Sequence, residues 1–352
     1  MSRSFATKSG EPDVWQRYRG NFSRHLLGVA RHLQTQTMHA LQQECGHHKL
    51  RLGFAPYITL IGTRGMRLTE LAKILGVSRQ ACNQAANQVE NAGYIMRKAD
   101  PEDGRAKQLV LTVQGRQLRE DGRRITAELN AQLLAVVEEP ALADADRTLG
   151  KIYRGLCLGL AHKESAADPT ASMGELLPGL ADYVLQRLME LTRVQGHPGL
   201  KLSFGQVLTL IGPSGGRIQE IAAIQDVSKQ AISAIATELE LLGYLRREAD
   251  PEDARQLVLI FTDRGRDLIA DSVESVDQLQ AEFAAIAGKT AIARLCATLR
   301  NLYTALQLER EVFDHNASVD LGLLAKQLRQ QLGTQGSQAL GQLLLHKAKV
   351  KQ

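Results

Sequence analysis

The sequence predicts a mainly α-helical chain with small β-wings, built as two copies of one domain with long terminal helices. Three observations predict it. The chain matches itself at an offset of 150 residues, each copy begins and ends in apolar stripes of helical spacing, and each contains a short helix pair followed by a hairpin.

The repeat comes first. Residues 51–118 align with 201–268 without a gap, and 31 of the 68 pairs are identical. VSRQA at 77–81 answers VSKQA at 227–231, Gly93-Tyr94 answers Gly243-Tyr244, and DPED recurs at 100–103 and 250–253. A period this long exceeds a solenoid unit of about 20–50 residues, so a whole domain is duplicated. The 352 residues also suit two domains of about 150. KESAADPTASMGE at 163–175 is small and polar, as a surface linker is. The expected division is therefore 1–163 for the first copy, 164–175 for the linker and 176–315 for the second copy. Residues 316–352 form a C-terminal extension whose Leu321, Leu324, Leu328 and Leu332 make a helical stripe, ending in His346, Lys347, Lys349 and Lys351.

Terminal helices follow from spacing. Leu177, Leu180, Val184, Leu188 and Leu191 recur at threes and fours, and Leu26, Ala30, Leu33, Thr37 and Leu41 trace a weaker version. Ile292, Leu295, Leu299, Leu302 and Leu306 alternate as in a helix-on-helix seam, as do Leu149, Ile152, Leu156 and Leu160. Such stripes need a partner helix.

Between them lies LTELAKILGVSRQACNQAANQVENAGYI at 68–95. Thr69 is the expected cap of a short helix that Gly76 terminates, where a left-handed backbone costs little. Ser78 then caps a second helix ended by Gly93. Its expected inward positions are Ala81, Ala85, Val89 and Ala92, with Arg79, Gln80, Asn83, Gln84, Asn87 and Gln88 outward. Two helices joined by a glycine turn make a helix-turn-helix, whose second helix can enter the major groove. Arg, Asn and Gln carry the donors and acceptors that pair with base edges. The hairpin 94–112, with Arg97, Lys98, Arg105 and Lys107 along it, completes a winged helix.

This order of helix pair, wing DPEDGRAKQLVLT at 100–112 and Gly115 opening the next helix resembles the MarR family of bacterial winged-helix regulators. IQEIAAIQDVSKQAISAIATELELLGY at 218–244 and DPEDARQLVLIFTDRG at 250–265 repeat the resemblance. It implies a sequence-specific double-stranded-DNA-binding transcriptional regulator, by the family's commoner outcome a repressor. Arg105 and Arg255 match the wing arginine that enters the minor groove, and Asp103 and Asp253 match the acid that orients it. The helices opened by Ser78 and Ser228 match the recognition helix. The resulting DNA-contact set adds Lys229, Gln230, Ser233, Thr237, Arg246 and Arg247 from the second copy. Family members are commonly homodimers and answer small aromatic ligands. Here the expected assembly is a single-chain pseudodimer on an imperfect palindrome, or a homodimer of such chains.

The copies differ in charge. Over 64–107 eight basic residues face five acids, whereas over 214–257 five face eight. Outward Asn83, Gln84, Asn87 and Gln88 become Ser233, Ala234, Thr237 and Glu238, and Lys107 becomes Leu257. Phosphate neutralisation drives nucleic-acid affinity, so the first copy is expected to grip DNA more strongly. The alternative is a winged-helix adaptor that binds another regulator.

Other classes find little support. No GxGxxG, P-loop, HExxH or nucleophile elbow is present, so neither an enzyme nor a cofactor is expected. Cys45, His47 and His48 form a C-x-H-H cluster with no second ligand pair, and His25, His32 and His39 share a helix side; no metal is expected of either. Cys82 reads as a packed thiol. With 44% hydrophobic residues, four cysteines without a CxxC pair, no apolar leader and no run of about 18–20 apolar residues, a cytoplasmic chain without membrane contact is expected.

Overall fold

The computed structural model describes residues 11–100, 106–158, 171–213, 215–225, 227–250 and 257–309. The expected C-terminal extension and the wing tips with Arg105, Arg255, Asp103 and Asp253 lie outside the described residues. The first copy runs α1 (Glu11–Arg19), α2 (Phe22–Gln43), α3 (Ala55–Ile61), β1 (Met66–Arg67), α4 (Leu68–Leu75), α5 (Arg79–Asn91), β2 (Ile95–Ala99), β3 (Lys107–Leu111), α6 (Val113–Gln132) and α7 (Glu139–Gly155). The second runs α8 (Met173–Val194), α9 (Leu202–Leu210), β4 (Gly216–Arg217), α10 (Ile218–Ile224), α11 (Lys229–Leu241), β5 (Leu245–Ala249), β6 (Leu257–Phe261), α12 (Asp263–Ala287) and α13 (Lys289–Ala305). Both copies are winged helix-turn-helix domains.

Each wing is a three-stranded antiparallel sheet in the order β1-β3-β2 or β4-β6-β5. The hairpin register pairs Ile95 with Leu111 and Ala99 with Lys107, repeated as Leu245 with Phe261 and Ala249 with Leu257. The third strand, two residues long, enters from before the helix pair and pairs Met66 with Leu109. At the base of each wing the backbones close up. A Cβ on Gly115 would stand 1.9 Å from the Tyr94 carbonyl oxygen, and one on Gly265 would stand 2.2 Å from that of Tyr244. Only glycine fits there, which explains its place at the start of α6 and α12.

Three cores hold the described residues. One lies in each winged head, around Leu71, Ala86, Tyr94 and Leu109 in the first, and Ile221, Ala236, Tyr244 and Leu259 in the second. The third is shared. Leu26, Val29 and Leu149 of the first copy pack with Leu177, Leu180, Leu295 and Leu299 of the second in one apolar cluster. The stripes read from the sequence therefore meet each other across the repeat, except that Leu41 packs in the first head and Leu160 lies outside the described residues.

The exchange is reciprocal. Tyr303 on α13 lies against Gly28 on α2, and Tyr153 on α7 lies against Gly179 on α8. Asp144 receives Arg294 Nε at 2.7 Å, although the two are equivalent positions of the repeat. Contacts of this reciprocal kind mark an approximate twofold relation, here within one chain. His25 joins the same seam, its ring centroid 4.9 Å from that of Tyr303. Burial, with Arg300 and Arg24 nearby, lowers its pKa to about 4, so it packs as a neutral ring.

Two boundaries differ from expectation. Met173–Glu175, placed in the linker by composition, open α8. The Glu175 carboxylate accepts from the Ser172 backbone N–H at 2.9 Å, and Asp146 accepts from Met173 N–H at 2.6 Å. In addition, α1 serves the second head rather than the first. Trp15 is buried there with Phe261, ring centroids 5.2 Å apart, and Arg17 reaches Asp277 at 2.5 Å. The first copy thus supplies part of its twin's core.

Candidate nucleic-acid interface

The reading helix is set by its caps. Gly76 adopts the left-handed conformation (φ 65°, ψ 24°) that ends α4, and the Ser78 hydroxyl accepts from Ala81 N–H at 3.1 Å to start α5. Ser228 repeats this on Ala231 at 3.2 Å. The expected cap Thr69 is instead inside α4, which begins at Leu68 behind Arg67.

On the inward face of α5, Val89 is buried as expected, but the first two turns are one residue out. Cys82, Ala86 and Val89 are fully buried, while Ala81 is exposed and Ala85 half-buried. The i, i+4, i+7 spacing of the true stripe satisfies a helix as well as the expected one does. Cys82 is the packed thiol expected, and burial raises its pKa.

Outward residues fall into two groups. Arg79, Gln80 and Gln84 are exposed, and their side chains make no hydrogen bond among the described residues. Asn83 and Asn87 are engaged, their amide oxygens accepting from Arg97 Nη2 at 3.0 and 2.8 Å. Arg97 also binds Glu90 through both its backbone and its guanidinium. It therefore staples strand β2 to α5, and its side chain is only 26% exposed. What Asn83 and Asn87 offer outward is their NH2 groups.

The second head copies this staple. Arg247 binds Glu240 at 2.5 Å, and its Nη2 reaches Thr237 Oγ1 and the Ser233 carbonyl, each at 3.1 Å. Of its remaining candidates, Gln230 is exposed, Lys229 donates to Gln219 at 3.0 Å, and Arg246 pairs with Glu248 at 2.5 Å. On the first wing Lys98 and Lys107 are exposed, whereas the equivalent Glu248 and Leu257 supply an acid and a 52% exposed leucine. The charge contrast read from the sequence is thus a contrast between two surfaces.

The wing bases are braced alike. Arg67 Nε meets Asp100 at 2.5 Å and Arg217 Nε meets Asp250 at 2.5 Å, both carboxylates buried. The heads are also tied to the helical core by a feature the sequence reading missed. His47 Nε2 lies 3.0 Å from Asp121, and His197 Nε2 lies 2.8 Å from Asp271. The C-x-H-H spacing groups His47 with Cys45 and His48 rather than with Asp121. Carrying the 150-residue offset a few positions beyond 51–118 would have found both partners. Burial alone would raise the Asp121 carboxyl, but hydrogen bonds from His47 and Gln117 outweigh it and hold the pKa below its usual value. Each pair links the segment that follows α2 or α8 to α6 or α12. Among the described residues no group of three or more His, Cys, Asp or Glu side chains could hold a metal, and no helix is long and apolar enough to cross a membrane.

Comparison with known proteins agrees with the duplicated arrangement. A family model described as the MarR family matches twice, over residues 56–106 and 199–256. HTH-type transcriptional repressors from Mycobacterium tuberculosis (Rv2887) and Mycobacterium bovis (Mb2911) are each 31% identical over 88 residues. That match covers 25% of this chain and 63% of each repressor. Among solved structures, the transcriptional regulator Tm0710 from Thermotoga maritima is similar at 22% identity and a TM-score of 0.31, over 38% of this chain and 92% of that one. CouR from Rhodococcus jostii, solved with p-coumaroyl-CoA, is similar at 25% identity and a TM-score of 0.30, over 37% and 90%. Each matched region takes in a helix pair and the first strand of its wing, so the chain is similar to the MarR family twice, once in each copy.

Proposed function

We propose that this chain is a sequence-specific regulator of transcription, a repressor, that binds double-stranded DNA as a single-chain pseudodimer. The carrying observation is the outer face of α5. There Gln80 and Gln84 stand exposed on the side away from Cys82, Ala86 and Val89, Arg79 is exposed at the first position of the helix, and Lys98 and Lys107 lie on the adjoining wing. Side chains of these types pair with base edges, and exposed cations on a wing neutralise phosphates. The shared helical core supports the pseudodimer, because it fixes two heads relative to one another without a second chain. Heads held in this way suit half-sites one helical turn, about 34–36 Å, apart. Since the heads differ, the favoured operator is an imperfect palindrome.

A gel-shift titration on DNA from upstream of the chain's own gene tests the reading. Binding that weakens steeply between about 50 and 200 mM salt is expected of a protein that releases counterions. Absence of a shift at low salt contradicts the reading and favours the adaptor alternative, in which the acidic second head meets another protein.

A further inference from the structure

Position 88 in the first head and position 238 in the second are equivalent, and in each head a cation from the preceding loop holds the side chain. Arg51 Nη1 donates to Gln88 Oε1 at 3.1 Å, while Lys201 Nζ donates to Glu238 Oε2. The clamp is retained, but the group it leaves outward is reversed. With its oxygen turned to Arg51, Gln88 presents an NH2 donor. With Oε2 turned to Lys201, Glu238 presents Oε1, which can only accept. One turn earlier, exposed Gln84 is replaced by exposed Ala234, so Glu238 and, two turns before it, Gln230 are the polar residues of that row.

Resting on the proposed DNA-binding function, we infer that Glu238 is a specificity-determining residue that makes the second head select cytosine where the first head selects a base with an acceptor edge. In the major groove cytosine shows an N4 amino donor, which a carboxylate accepts. Adenine sets its N7 acceptor beside the N6 donor, facing a carboxylate oxygen with a second lone pair, and guanine and thymine show acceptors there. A donor such as the Gln88 NH2 instead suits purine N7, guanine O6 or thymine O4. One equivalent pair of residues thus breaks the operator's symmetry at one base pair of each half-site. Lys201 has a second consequence: it neutralises Glu238 enough for the helix to approach the phosphates, which an unpaired acid would repel.

The test is selection of duplexes from a randomised pool by the full-length wild type, Glu238→Gln and Gln88→Glu, followed by affinity measurement on duplexes differing at single positions. Wild type is expected to enrich two unequal half-sites. Glu238→Gln is expected to lose cytosine preference at one base pair of one half-site, by about 5- to 100-fold, leaving other positions unchanged. Gln88→Glu is expected to bring cytosine into the other half-site. A uniform gain in affinity for Glu238→Gln, with no change at any position, would show that the carboxylate only repels phosphate and would overturn the inference. So would symmetric wild-type half-sites. Enrichment of no duplex by wild type would instead overturn the DNA-binding reading, and the inference with it.

Discussion

Exchanging two wing residues for those of the second head, Lys98→Glu with Lys107→Leu, is expected to lower operator affinity about 10- to 1,000-fold near physiological salt. Both lysines are exposed on strands flanking the reading helix, and their equivalents Glu248 and Leu257 are exposed too. The exchange should therefore leave folding intact while it removes two cations and adds one acid. Each lost phosphate contact reduces the slope of log K against log salt by about 0.9, so the slope should fall by close to 2. The reciprocal change, Glu248→Lys with Leu257→Lys, should strengthen binding and steepen the salt dependence. Fluorescence anisotropy across a salt series measures both. Equal and small effects from the two exchanges would mean that the wings do not reach DNA.

Truncation of the shared core is the second large effect. Leu149→Ala in α7 and Leu299→Ala in α13 should each cost about 2–5 kcal/mol, because both side chains are fully buried and their neighbours can collapse only in part. The more informative outcome is the shape of the transition. Because Leu149 and Leu299 belong to one cluster that draws on both copies, each truncation should lower a common cooperative unfolding step. Two copies folding as separate domains would give two transitions, with each substitution moving only its own. Calorimetry distinguishes the cases, and far-ultraviolet circular dichroism in denaturant gives the size of each loss.

Much of this architecture was legible because the informative residues are punctuation. Gly76, Ser78, Gly93, Thr112 and Gly115 mark ends and caps whose backbone requirements are local, and the structure uses them so: Thr112, for instance, accepts from Gly115 N–H at 3.0 Å to open α6. The face of α5 was less legible. Ala81, Ala85 and Ala86 are too alike to mark an inside, and the packed thiol of Cys82 beside Ala81 is the better guide to it. Strand β1 has two residues, too few for alternation to show. The engagement of Asn83 and Asn87 by Arg97 depends on a turn that returns β2 beneath the helix, a long-range contact without periodic signature. The same holds for α1. Trp15 and Tyr18 are two aromatics in a polar segment, and only the fold shows that they pack on the core of the other head. Duplication also carried a signal that a repeat bounded at 51–118 leaves out: the pairs His47–Asp121 and His197–Asp271 recur at the same 150-residue offset.

The most direct test of a tethered twin on DNA is the stoichiometry of the complex, from light-scattering mass of the chain bound to its selected duplex, read beside the footprint on that duplex. One polypeptide per duplex, protecting two unlike half-sites about one helical turn apart, is the predicted result. Two polypeptides per duplex with four protected segments, or one polypeptide protecting a single half-site, would contradict it.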